Sequence, residues 1–346
     1  MKMNLFGLTY PQLKEVVKSL QLPEFTATQL SDWLYKKRVG SFTAMTNLSK
    51  QAREKLELNY SIEISSYSKV QTSIDGTRKY LYPTQTDKFI EAAYIPDDDR
   101  ATLCVSTQIG CKMGCLFCMT GKQGFQGNLS TGEIINQIQS LPEFEKLTNI
   151  VYMGMGEPLD NVDAVLNSIE IMTSDKGYGW SPKRITVSTI GIIPAMIRFL
   201  EESQAHLAVS LHSPFDEERK EIMPIQSVYP ITEVIKEIKR WDLGRQRRIS
   251  FEYIMFKDVN DTARHAAELV RLLNGIKCRI NLIRFHPIPD TPLKGTPDSG
   301  IISFQNLLKA KGLTVTIRAS RGQDIFAACG LLSTKELVRR QLESDF

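Results

Sequence analysis

No stretch of the 346-residue chain approaches the roughly 20 consecutive apolar residues needed to cross a bilayer. Nor is the opening segment, MKMNLFGLTYPQLKE, a good secretory signal: its apolar run is very short before Pro11, Lys14 and Glu15 intervene. A cytoplasmic protein with no membrane contact is expected. There is no low-complexity tract and no internal repeat, which argues against a linker-like or solenoid chain. No early strand-like segment is followed by G-x-G-x-x-G, which weakens a dinucleotide-binding reading. Cysteines number only six, and three of them, Cys111, Cys115 and Cys118, fall within eight residues. A disulfide framework is not laid out that way; in a reducing compartment such a cluster holds a metal or performs redox chemistry.

What is present is ordinary for a folded chain. Hydrophobic residues make up 42% and charged residues 24%, and the length suffices for one large core and a smaller domain. The net charge of +4 is uneven. Residues 1–60 carry nine Lys/Arg against five Asp/Glu, while the remainder carries 34 of each. The surplus includes Lys36-Lys37-Arg38, directly after Trp33 and Tyr35. Such an arm suits a phosphate backbone, and it equally suits a solvated helix face.

Residues 1–60 read as short helices, with Leu13, Val16, Val17 and Leu20 on one face, Leu30, Trp33 and Leu34 on a second, and a third helix from Ser49. Residues 62–96 alternate in period two, broken at Asp75-Gly76 and at Thr84–Asp87, as a small β extension would. From about residue 101 strand-like runs alternate with helical patterns. The runs are LCVST at 103–107, NIVYMG at 149–154, RITVST at 184–189, LAVSL at 207–211, ISFEYIMF at 249–256, INLIRF at 280–285 and LTVTIR at 313–318. Near-continuous apolar strands joined by helices imply a parallel sheet with right-handed crossovers. A partial barrel fits, with its chemistry at the C-terminal strand ends; an open doubly wound sheet is the competitor.

The strongest local signal is Cys111-Lys-Met-Gly-Cys115-Leu-Phe-Cys118, spaced C-x3-C-x2-C on the first βα loop. Three thiolates on a tight loop suit a [4Fe–4S] cube, leaving one iron open to an external ligand. A structural zinc would need a fourth ligand, and the second C-x-x-C or His pair is missing. An electron-transfer cluster would need a committed fourth cysteine.

This triplet, with Phe117 just before its last cysteine, resembles the signature of the radical S-adenosylmethionine (SAM) superfamily. The turn Gly154-Met155-Gly156-Glu157-Pro158 after the next strand is similar to that family's glycine-rich turn, where backbone and Glu157 would take the SAM ammonium. Within the superfamily most of the chain resembles the RlmN/Cfr adenosine methyltransferases. The matching segments are ATLCVSTQIGCKMGCLFC, VYMGMGEPLDN, Ser210-Leu211-His212, NLIRFHPIP, Arg321-Gly322-Gln323-Asp324 and Ala327-Ala328-Cys329-Gly330.

The resemblance implies an α/β fold: a partial (β/α)6 TIM-type barrel of the radical SAM class, with a small N-terminal helical domain and a short β extension. Its parts would be an RNA-binding accessory domain at 1–60, the extension at 61–100 and the radical SAM core with a C-terminal helix at 101–346. It implies methylation at C2 of adenosine 2503 in 23S rRNA and of adenosine 37 in tRNA. Two SAM molecules per turnover, a [4Fe–4S] cluster held by Cys111, Cys115 and Cys118, and a flavodoxin-like electron donor would be required. Because adenine C2 is electron-poor, the family uses a covalent relay. Cys329 would carry the methyl group, Glu91 would remove the C2 proton and Cys104 would free the product by forming a disulfide.

Judged by position alone, Cys104 and Cys329 read as packing cysteines, Glu91 reads as an exposed strand residue, and Cys278 is structural. The SAM pocket implied is Gly156, Glu157, Ser188, Ser210, Leu211, His212 and His286. His286 departs from the family, which often has Asn there, as does Leu331-Leu332, where Gln is common. His206 and His265 look like ordinary surface or boundary residues. The alternatives are C8 methylation of the same adenosine and a non-catalytic RNA-binding metalloprotein.

Overall fold

The computed structural model describes residues 2–242 and 247–334; the expected C-terminal helix lies outside the described residues. Helix α1 (Tyr10–Ser19) starts where the Thr9 N–H donates to Gln12 Oε1 at 2.8 Å, with Pro11 in the first turn, where a missing N–H is tolerated. Helix α2 (Phe25–Ser31) continues into a π-helical turn at Asp32–Lys36. Helix α3 (Lys50–Asn59) is capped by Ser49, whose hydroxyl accepts from the Ala52 N–H at 3.1 Å. These are the three helices that the spacing predicts. A parallel pairing of Met3–Asn4 with Tyr60–Ser61 brings the two ends of this segment together.

The rest is organised on one ten-stranded sheet whose spatial order follows the chain. Strands β1 (Lys69–Thr72), β2 (Arg78–Pro83), β3 (Phe89–Asp97) and β4 (Arg100–Cys104) are antiparallel. Strands β5 (Asn149–Tyr152), β6 (Ile185–Thr189), β7 (His206–Ser210), β8 (Ile249–Met255), β9 (Cys278–Arg284) and β10 (Thr314–Ile317) then add in parallel to β4. The period-two segment is therefore not a separate sheet: β3 pairs directly with β4, with Ala93 opposite Cys104.

Helices α4 (Thr131–Gln139), α5 (Val162–Thr173), α6 (Ile193–Glu202), α7 (Ile231–Ile238), α8 (Ala263–Leu273) and α9 (Asp298–Ala310) fill the six crossovers of the parallel run. That makes six β/α units closed by a seventh strand, β10. The run is strongly curved. Cys104 at the end of β4 and Arg318 just past β10 line one cavity. In a flat sheet, six strand spacings of about 4.8 Å would hold them roughly 29 Å apart. A partial barrel results.

The N-terminal helices share a core with the barrel rather than standing off from it. Tyr35 donates to the Leu8 carbonyl at 2.5 Å and stacks edge-on against Tyr178. Ser31 donates to the Lys176 carbonyl at 2.7 Å. The basic triplet is engaged in the same way. Lys36 pairs with Asp32 at 3.0 Å, Lys37 lies 3.5 Å over the Trp33 ring, and Arg38 pairs with Glu145 at 2.6 Å while covering Phe144. His206 and His265 are buried too, with His265 bonded to Glu218 at 2.7 Å, so neither is a surface residue.

Docking is tightest where Gly7 meets the start of α4. A Cβ on Gly132 would sit 2.6 Å from the Phe6 carbonyl oxygen, a backbone atom that cannot swing aside. Gly132→Ala is therefore expected to cost about 1–3 kcal/mol of stability and to expose residues 1–60 to proteolysis. Gly40→Ala, where nothing lies within 4 Å, should leave urea unfolding and digestion unchanged.

Candidate active site

The C-terminal strand ends surround a cavity of about 430 Å³. Its walls include Cys104, Cys111, Cys115, Cys118, Gly156, Glu157, Ser188, Ser210, His212, His286 and Cys329. Thus eleven of the thirteen residues singled out in the sequence meet at one place. Glu91 and Leu211 do not line it. Leu211 is fully buried and contributes through its backbone.

The triplet sits on a loop pinned from several sides. Lys112 pairs with Asp160 at 2.7 Å, and the Leu116 N–H donates to the Ile222 carbonyl at 3.0 Å. Phe117 packs edge-on against His212, ring centroids 4.7 Å apart, and tilts against Phe256. Burial pushes the Cys111 thiol up to about 12 and Cys115 well above its ordinary value; neighbouring thiols add to both. Such thiols ionise only when a metal supplies the missing positive charge. Among the described residues no three His, Cys, Asp or Glu side chains gather closely enough to hold one ion. A one-ion centre is therefore not assembled, whereas the separate irons of a cluster do not require the sulfurs to converge on one atom. The donor set fits an iron–sulfur cube.

Next to the triplet, Glu157 is only 4% exposed and nearly saturated. Its Oε1 accepts from Thr189 Oγ1 at 2.7 Å and from the Leu159 N–H at 3.1 Å; Oε2 accepts from the Ile190 N–H at 3.0 Å. Of about four lone-pair positions on a carboxylate, one on Oε2 remains for a ligand cation. Burial, opposed by these donors, pushes Glu157 up to about 7. Gly156, at φ +97°, is required by a protein contact: a Cβ there would lie 2.5 Å from Gln108 Cβ. Gln108 also holds the turn, its Oε1 accepting the Glu157 N–H at 2.9 Å, and Gly156 lines the cavity.

His212 holds a left-handed backbone at φ 56°, which costs strain for a non-glycine residue. Fully buried Asn260 holds it there, donating to the His212 carbonyl at 2.6 Å and to the Ile254 carbonyl at 2.7 Å. Burial, with Arg219 nearby, lowers the imidazole to about 3, so it is neutral. Its Nδ1 accepts from the Ile254 N–H at 3.0 Å, which assigns the proton to Nε2, a donor for a ligand oxygen. His286 shares a 3.0 Å hydrogen bond with Ser320.

On the opposite wall Cys104 packs with Ala93 and Ala327, and burial, followed by the neighbouring Cys329, pushes it up to about 12. Cys329 is exposed at the cavity, yet enough protein crowds its sulfur that desolvation raises the thiol, with Arg318 pulling the other way. The Cys329 loop is tied down by the Met119 N–H donating to the Gly330 carbonyl at 2.8 Å and by the Gly322 N–H donating to Asp75 Oδ2 at 2.8 Å. Glu91 lies behind this loop. It pairs with Lys79 at 3.0 Å and accepts the Ser333 N–H at 3.0 Å. It is buried, contrary to its positional reading as an exposed strand residue.

Sequence reasoning missed Lys79, Glu252, Arg318 and Asn260. Glu252 and Arg318 pair at 3.4 Å within the cavity wall. A carboxylate inside the apolar run ISFEYIMF was the available signal for Glu252, and a cation closing the last strand was the signal for Arg318.

Comparison with known proteins points one way. A model of the radical SAM superfamily matches residues 105–270, and one of the ribosomal RNA large subunit methyltransferase N-terminal domain matches residues 3–62. The chain is 55% identical over 337 residues to the probable dual-specificity RNA methyltransferase RlmN of Parabacteroides distasonis, covering 97% of this chain and 98% of that protein. It is 41% identical to the dual-specificity RNA methyltransferase RlmN of Syntrophus aciditrophicus, covering 98% and 99%. The crystal structure of a radical SAM methyltransferase from Sphaerobacter thermophilus superposes with TM-score 0.88 at 38% identity, covering 95% and 99%.

The raised Glu157 has a thermodynamic consequence in the ligand-free protein. A carboxyl lifted from 4.5 to about 7 stabilises the fold fully below pH 4.5, and that contribution is lost as pH rises through 7. Its size is of the order of 3 kcal/mol. Urea unfolding at pH 5 and pH 8 should show a smaller pH-dependent loss in Glu157→Gln than in the parent. Equal losses would contradict the assignment.

Proposed function

The chain belongs to the RlmN family of dual-specificity RNA methyltransferases, which are radical SAM enzymes, and from that premise we propose that it methylates adenosine at C2 in 23S rRNA and in tRNA through a methyl group carried on Cys329. That it is a SAM-dependent RNA methyltransferase follows from the family. The finer reading rests on one observation: two further thiols, Cys104 and Cys329, face the same cavity as the cysteine triplet. Direct transfer to a nucleophile needs neither of them; a covalent relay needs both.

Cys111, Cys115 and Cys118 would hold the cluster, with Glu157, His212, Ser188, Ser210 and His286 around the SAM site. When bound, the cluster and SAM supply the radical chemistry that makes an otherwise inert methyl C–H bond reactive. The remaining steps belong to the chain. The Cys329 thiolate attacks the methyl carbon of one SAM: its electron pair forms the new S–C bond, while the bond from that methyl to the sulfonium breaks and its pair leaves on the sulfur of S-adenosylhomocysteine. Arg318, whose positive charge pulls that thiol's pKa down, favours the thiolate needed for the attack. Once the carrier carbon is joined to C2, Glu91 accepts the C2 proton. Cys104 then attacks the Cys329 sulfur: an S–S bond forms, the S–C bond breaks with its electron pair on the carbon, which is protonated to the product methyl, and the one surplus electron left by the radical addition would return to the oxidised cluster. For Glu91 to reach the base, the Ser333 N–H must release its carboxylate. A second SAM and a flavodoxin-class electron donor complete the requirement.

The RNA would be gripped partly by residues 1–60, which hold the whole positive surplus, with the target base extruded into the cavity. Arg38 is engaged with Glu145 and Phe144, while Lys36 and Lys37 are exposed and can meet a phosphate backbone together with the module's other cations.

Nucleoside mass spectrometry with NMR of RNA treated with reconstituted enzyme, SAM and reductant should give 2-methyladenosine; the 8-methyl isomer would overturn the regiochemistry. Cys104→Ala should leave RNA covalently attached to the protein, whereas turnover by Cys329→Ala would refute the relay.

Burial raises Glu91 while Lys79 lowers it. A base must be ionised to act, so Lys79→Met should move the rising limb of the pH–rate profile to higher pH. A limb that stays in place would remove Glu91 from the base role.

A further inference from the structure

Arg219 is the largest fully buried side chain among the described residues, and all of its hydrogen-bond acceptors are neutral. Its Nε donates to the Leu211 carbonyl at 3.0 Å. Nη2 donates to the Ile190 and Ser210 carbonyls at 2.8 and 2.9 Å, and Nη1 donates to Gln226 Oε1 at 2.5 Å. The acid in this network, Asp216, stands one link further out, accepting from Gln226 Nε2 at 2.5 Å. A guanidinium does not escape burial by losing its proton, and an unpaired charge inside a protein is costly. Some other negative charge must balance it.

The geometry says where that charge lies. Arg219 belongs to the short helix Asp216–Ile222, whose final carbonyl, on Ile222, accepts the N–H of Leu116, next to Cys115. Its donors hold the ends of the strands that carry Ser188 and Ser210, which are cavity walls. Burial lowers the Arg219 guanidinium, and negative charge on the neighbouring Cys115 sulfur and on Asp216 opposes that. A cube bound by three thiolates is a net anion and becomes more negative on reduction.

We propose that Arg219 is a built-in counter-charge for the cluster at Cys111, Cys115 and Cys118, a positioning residue that makes the cluster easier to reduce. This rests on the triplet being a cluster site. In the step concerned, one electron from the external reductant enters the cube; no bond of the chain forms or breaks. A purely structural fork would affect folding and leave the potential alone.

The test is the cluster's midpoint potential, read by electron paramagnetic resonance during anaerobic titration of the reconstituted protein with dithionite. Arg219→Gln should move it to a more negative value, while Arg219→Lys, which keeps the charge and loses the fork, should stay near the parent. The double change Asp216→Asn with Gln226→Glu leaves Arg219 and the net charge intact and brings a carboxylate directly onto the guanidinium. It too should lower the potential, and it decides the matter if Arg219→Gln does not fold. An unmoved potential in the double variant overturns the proposal. A parent protein that binds no iron or sulfide overturns the cluster reading, and this proposal with it.

Discussion

A cavity walled by strand ends in a parallel barrel is a poor place for an unbalanced charge, and that constraint organises the molecule. Several ionisable groups at the cavity are neutralised, shared or saturated within the protein. Glu157 takes three donors, His212 is held neutral, and Glu252 meets Arg318. Behind the reactive loop Glu91 meets Lys79. Among the described residues the triplet thiols have no salt-bridge partner, and Arg219 hydrogen-bonds to no carboxylate. Those two deficits lie side by side.

The same constraint explains the division of labour along the sheet. The parallel strands bring the triplet, the glycine-rich turn and the two serines to one rim. The antiparallel strands β1 to β3 extend that wall, and their turns anchor the loop that bears Cys329. Asp75, in the β1–β2 turn, accepts the Gly322 N–H, and Asp324 accepts from Ser73. Burial works against the charged form of Asp75, but the donors from Gly322, Thr77 and Ser73 outweigh it and hold the carboxyl down to about 2. Cys329 thus stands on a clamp made far from it in sequence. Cys104, by contrast, is part of the sheet, at the end of β4.

Much of this was legible in the sequence, and for a physical reason. The seven parallel strands were visible because burial on both faces leaves near-continuous apolar runs, and the triplet and Gly154–Pro158 were visible because their chemistry is local in the chain. Cys104 and Cys329 illustrate the opposite case. Each is unremarkable at its own position, and their pairing depends on curvature that brings the two ends of the barrel together. Arg219, Arg318 and Lys79 were invisible for the same reason: a lone cation in a helix or strand says nothing until its distant partners are known. Glu91 was identified by resemblance, yet its burial behind Ser333 could not be read from an alternating strand. In the basic triplet Lys36-Lys37-Arg38, Arg38 reaches Glu145 and Phe144 and so helps to dock the N-terminal helices, while Lys36 and Lys37 interact within their own turn and stay exposed.

The central claim is that Cys111, Cys115 and Cys118 hold an iron–sulfur cube with one iron open to SAM. Its most direct measurement is iron and acid-labile sulfide per chain in oxygen-free protein, with the reduced spectrum recorded before and after SAM is added. The expected result is about four of each per chain and a paramagnetic signal that SAM perturbs. A colourless protein holding zinc, or a cluster whose signal ignores SAM, would contradict the account.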